Sequence, residues 1–245
     1  MRGTLTISIC ALAVLLIAPM ASAQQTHRAS SAETSDFGRD VELYPEALLA
    51  ANQSISASGM DANPHVYATV LRSGAPGDEQ RAREILDILR HSMDKYKDSH
   101  AAIADGYAPF MPKSEQQFYW FISNRNAYAS AYEFNPGHAT ALLYKKSKGS
   151  YQLAGAVFTA PKAATESQLN DRIPLSVARW HEHVNLCVAP KHAAGPADAK
   201  KFGLNGAIAA KDACEAAGGH WVPQVFGWMV TVFPFESSPT AIWPQ

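Results

Sequence analysis

The sequence predicts an α+β fold built on a mainly antiparallel sheet. Three observations lead there. Residues 78–104 carry apolar side chains at helical spacing, with charges between them. Two strand-like runs, ATALLYKK over 139–146 and YQLAGAVFTA over 151–160, are joined by the turn-like SKGS. Helical and strand-like segments come in unequal blocks, without the alternation that builds a parallel sheet. The expected architecture is a sheet with a long N-terminal helix and a C-terminal helical excursion packed on it.

The elements follow in chain order. Residues 1–23 have the three parts of a secretory signal peptide: a basic Arg2, an apolar run over 7–17, and the small-residue pattern Ala21-Ser22-Ala23. The apolar run falls short of the ~20 residues that span a bilayer. Residues 24–36 are polar and rich in Ser, Thr and Ala, the composition of a flexible leader. The remainder, 37–245, is expected to be a single α+β domain. Within it, 42–53 reads as a short helix with Pro45 in its first turn, and 54–64 as a loop. The helix over 78–104 presents Ile85, Leu86, Leu89, Met93 and Tyr96 on one side and is ended by Gly106. Phe118, Tyr119, Trp120 and Phe121 are strand or core material. After the hairpin, 161–174 is a loop or carries a short helix. A strand follows over 180–188, ended by Pro190. The alanine-rich stretch 197–219 is helical, broken near Gly203 to Gly206 and stopped at Gly218-Gly219. VFGWMVTVFPF, 225–235, reads as a last, mostly buried strand.

The formal net charge is −1, and Lys/Arg residues cluster no further than the pairs Lys145-Lys146 and Lys200-Lys201. That balance gives no sign of a nucleic-acid surface. No stretch after the leader is long and apolar enough to span a membrane. Of three cysteines, Cys10 lies in the apolar leader, which leaves Cys187 and Cys214. In an exported chain a disulfide between them is the default, and it would contribute roughly 3 kcal/mol. The expected location is periplasmic or secreted.

The chemistry concentrates in RWHEHVNLCVAP, 179–190. If 180–188 is a strand, Trp180, Glu182, Val184, Leu186 and Val188 share one face, and His181, His183, Asn185 and Cys187 the other. Two imidazoles at i and i+2 can converge on one divalent transition metal, with Zn or Cu the expected ions. Two ligands do not complete a site. The candidates for a third are His138, just before a strand, His220, six residues beyond Cys214, and Glu133. Glu182 and Glu133 are also the candidate acid/base groups. A free Cys187 thiolate would instead give a His-His-Cys set, in competition with the disulfide.

Other motifs are absent: G-x-S-x-G, a Walker loop, H-E-x-x-H and C-x-x-C do not occur, and HEHVN departs from the zinc-protease pattern at Asn185. The second functional class is a non-metal binding module. It would hold a small apolar ligand against the aromatic C-terminal strands, with Thr231 as a polar residue facing the same pocket. A metal-independent hydrolase lacks an identifiable nucleophile. The expected partner is therefore a metal ion or a small molecule.

Several pieces together, ADGY at 104–107, P-x-H-A-T-A-L-L-Y at 136–144, LAGAVF at 153–158, WHEHVN at 180–185 and FGWMV at 226–230, resemble a group of secreted bacterial proteins of unassigned function. The resemblance spans roughly 78–243. It implies one exported domain and carries no activity.

Overall fold

A serine hydroxyl opens the first helix: Ser35 accepts the Gly38 N–H and caps α1 (Asp36–Leu43). The chain runs directly into α2 (Pro45–Ser58), with Pro45 in the first turn, where its missing N–H is no loss. The computed structural model describes residues 35–192 and 195–244, without the side chains of 53–58. The expected signal peptide and most of the expected leader lie outside the described residues. Of the residues expected as leader, Ser35 caps α1 and Asp36 is its first residue.

A short strand, β1 (Val66–Ala68), precedes α3 (Asp78–Met93). The single helix expected over 78–104 is in fact three pieces. After α3 comes a 3-10 turn over Asp94–Lys97, and the Asp98 carboxylate then accepts the His100 N–H to start α4 (Ser99–Ala104). A capping aspartate inside the periodic stretch ends one helix and starts the next. Next come β2 (Ala108–Pro109), β3 (Tyr119–Ile122) and α5 (Asn124–Ala129). The predicted hairpin is β4 (Ala141–Ser147) and β5 (Ser150–Ala160). A capping box of Thr165 and Gln168 starts α6 (Glu166–Arg172). The last elements are β6 (His181–Val188), α7 (Pro196–Ala199), α8 (Lys211–Ala216), β7 (His220–Val232) and α9 (Pro239–Ile242).

The seven strands form one sheet in the order β1-β6-β7-β5-β4-β3-β2, with every pairing antiparallel. Side-chain alternation divides the apolar residues between its two faces. One face carries Trp228, Val230 and Val232 of β7, Ala156 and Phe158 of β5, and Leu142 and Tyr144 of β4, packed with Leu86, Leu89 and Met93 of α3 and Leu169 of α6. The opposite face carries Met229, Val157, Leu143 and Trp120, packed with Phe37 of α1 and Leu48 and Ala51 of α2. Helices thus cover both faces of the sheet. The described residues form one compact unit.

Two departures from regular strand geometry shape the β6–β7 pair. His181 pairs with Met229 but His183 with Val225, so β7 carries two extra residues opposite Glu182. Phe226 (φ 69°) and Gly227 (φ 71°) make this bulge. A Cβ on Gly227 would sit 2.5 Å from the Ala160 carbonyl oxygen, so the close approach to β5 requires glycine. The buried Asp40 holds the bulge from α1: its carboxylate accepts the Phe226 N–H at 2.8 Å and pairs with Lys162 Nζ at 2.6 Å. The second departure is Asn185, at φ 59°. It breaks the face alternation expected over 180–188. Leu186 joins the core layer on the α1–α2 side, while Cys187 turns toward Phe202 and Cys214.

Cys187 and Cys214 form a disulfide, with Cα atoms 5.6 Å apart. It pins α8 against the Val188 end of β6. Among the described residues, no helix is long and apolar enough to cross a membrane.

Candidate functional site

His181 and His183 are 2% and 0% exposed. They sit on β6, and both line a pocket of about 290 Å³ that Ala51 and Asn52 of α2 also line. β6 places them on one face because it stays regular along its β1 edge, where His181 pairs with Ala68 and His183 with Val66. The bulge is confined to β7. Its Phe226 ring stands edge-on to His183, centroids 6.2 Å apart, and so packs against that imidazole.

The two imidazoles meet nearly at right angles, at 86°, with ring centroids 5.5 Å apart. Nδ1 of His181 and both ring nitrogens of His183 are buried without a hydrogen-bond partner. Buried polar groups are nearly always paired, and each orphan costs about 1–3 kcal/mol. Burial pushes the His181 pKa down to about 4, and the nearby Arg179 charge adds to the shift. For His183, burial and then the neighbouring His181 and His65 rings drive it well below the ordinary range, while the His65 backbone opposes weakly without completing a hydrogen bond. Both rings are therefore neutral at physiological pH. That is the form that coordinates metals or accepts a proton from a ligand.

The rest of the lining comes from five separate segments, Pro244 beyond α9 being one. Asn52 and Met60 descend from α2 and the turn after it. Phe118 and Trp120 come from β3 and its approach, Leu143 from β4, and Met229, Thr231 and Phe233 from β7 and the residue beyond it. Trp120 Nε1 is also buried without a partner. Among the described residues, clefts of about 470 and 480 Å³ are larger. They are more open and lined by charged groups such as Asp171 and Arg172, or Lys97 and His100, and neither holds an orphaned imidazole.

The structure does not bring the other candidate residues to this pocket. His138 and Glu133 are exposed and line a different, smaller cavity beside α5. His138 precedes β4, which β7 and β5 separate from β6, a displacement of about 14 Å at ~4.8 Å per strand. His220 is exposed and pairs with Val188, five residues beyond His183 on β6, or about 16 Å at ~3.3 Å per residue. The disulfide does tether this segment to β6, but at its far end. Glu182 faces away from the two histidines. It is 9% exposed and bonded to Gln224 Nε2. Burial raises its pKa, against the Gln224 hydrogen bond and the Lys162 charge. Among the described residues, no group of three or more His, Cys, Asp or Glu side chains is placed to hold a metal ion.

Thr231 does line the pocket, as its place in the last strand suggested. Met229 escaped sequence reasoning although the signal was present: it lies two residues before Thr231, on the same strand face. Met60 and Asn52 gave no signal, because nothing local connects α2 to β6. A third buried histidine, His65, was also missed. It is 2% exposed, and its Nδ1 and Nε2 lie 3.1 and 2.9 Å from the carbonyl oxygens of Asn185 and Gly206. No protein-family model, curated protein or solved structure matches this chain.

Proposed function

We propose that this is an exported protein that binds a transition metal ion, zinc or copper, through His181 and His183 at the floor of the pocket under α2. One observation carries the reading: two fully buried, neutral imidazoles with orphaned nitrogens share one cavity. Two imidazoles sharing one ion in tetrahedral geometry, at ~2.1 Å per nitrogen, have ring centres about 5 Å apart. The separation here is 5.5 Å. The remaining positions on the ion would fall to other pocket groups or to a bound small molecule. The disulfide, the apolar leader and its small-residue end support export.

Elemental analysis of protein exported to a bacterial periplasm and purified without a histidine tag tests this. About one equivalent of zinc or copper is expected, lost in the His181→Ala/His183→Ala double variant. Equal metal in both proteins, or none in either, contradicts the reading.

One observation favours a second reading, a small and largely apolar ligand without a metal. Trp120 Nε1 offers an unused N–H inside the same cavity, beside Phe118 and Phe233. A ligand with an apolar body and one oxygen acceptor matches that set. Mass spectrometry of the gently extracted protein, run beside the metal analysis, separates the two.

A further inference from the structure

Resting on the metal reading, we infer that the site is built for a soft monovalent ion, Cu(I), and that the thioethers of Met229 and Met60 complete its coordination. Four observations converge. Met229 and Met60 are 2% and 5% exposed, and both line the pocket of the two histidines. Met229 is the direct cross-strand partner of His181, so its side chain rises from the same face of the sheet beside that ring. His181 and His183 are buried and retain ring nitrogens without a partner. No carboxylate or thiolate joins them there: Glu182 faces away and Cys187 is in the disulfide.

Ligand softness and charge decide the ion. Imidazole and thioether donors together select Cu(I), whereas zinc sites draw on thiolates, carboxylates or a third imidazole. Every donor in the pocket is neutral, so the ion's whole charge stays uncompensated in an apolar cavity. The desolvation penalty grows as the square of the charge, so a divalent ion costs about four times as much as a monovalent one. The pocket walls, Trp120, Leu143 and Phe233 among them, provide no counter-charge. A wet carboxylate-rich site would reverse this preference. This one bears sulfur and no charged side chain.

The test uses the full mature protein, stripped of metal and kept anaerobic. Cu(I) is titrated against a chromogenic Cu(I) chelator, Ag(I) serves as a redox-inert surrogate, and Zn(II) is titrated in parallel. Met229→Leu and Met60→Leu keep side-chain volume and remove only the sulfur. Thermal melts of each confirm that it folds. The expected result is tighter binding of Cu(I) than of Zn(II), a loss of at least tenfold in Cu(I) affinity in Met229→Leu, and sulfur in the copper coordination shell by X-ray absorption. Zn(II) binding tighter than Cu(I), or a copper shell of nitrogen and oxygen unchanged in Met229→Leu, would overturn the thioether assignment and leave the histidine site standing. Failure of all three ions to bind would bring down both.

Discussion

Three histidines are buried within a few residues of one another in space, and only one of them is at rest. His65 lies between two backbone carbonyls, at 3.1 and 2.9 Å, and ties the loop at Gly206 to the bend at Asn185. His181 and His183 are equally hidden from solvent, yet three of their ring nitrogens find no partner. Burial is the same and the residue type is the same. The difference is what surrounds them: His65 lies between the carbonyls of Asn185 on β6 and Gly206 in a loop, whereas the β6 pair lines a cavity with Phe118, Trp120, Leu143 and Met229. A buried imidazole is structural where the chain satisfies it and available where it does not.

The comparison sharpens into experiments on stability and binding. The largest stability effect is expected where a buried polar group is fully engaged. Asp40 holds the Phe226 N–H of the bulge and the Lys162 ammonium. Asp40→Ala strands both, and urea unfolding is expected to show a loss of about 3 kcal/mol or more. His65→Ala removes the ring N–H that one of these carbonyls accepts, leaves that buried carbonyl without its donor, and is expected to cost about 2 kcal/mol while metal stoichiometry is retained. A His65→Ala protein of native stability would erase the distinction between the histidines.

At the small end lies His183→Leu in metal-free protein. It exchanges an orphaned ring for an apolar side chain, so stability is expected to stay within about 1 kcal/mol of the parent. A loss like that of His65→Ala would show that His183 has a structural partner after all.

Much of the fold was legible, because it rests on local patterns. The β4–β5 hairpin came from the turn around Gly149, and the sheet's antiparallel character from the blockwise order of elements. The disulfide followed from the cysteine count. The break at Asp98 was not read, because apolar periodicity continues through it and only the cap reveals the new helix. The short edge strands β1 and β2 have no pattern of their own and exist through pairing with β6 and β3.

The site was half legible. That His181 and His183 share a face follows from strand alternation, which holds until the left-handed Asn185. The rest of the pocket was not legible, because it depends on register and order. His138 and His220 were reasonable by chain proximity, but sheet order puts two strands before one and a strand's length before the other. That Met229 shares a face with Thr231 follows from alternation, but that it stands opposite His181 depends on the β6–β7 register, which shifts by two residues at the Phe226-Gly227 bulge.

The most direct test of the central claim is the melting temperature of metal-stripped protein with and without added metal. At a free metal concentration ~100 times the dissociation constant, binding to the folded state stabilises it by about 2.7 kcal/mol, or about 5–10 °C for a domain of this size. The account requires that upward shift in the parent protein and its absence in the His181→Ala/His183→Ala variant. A shift of equal size in both, or in neither, would contradict it.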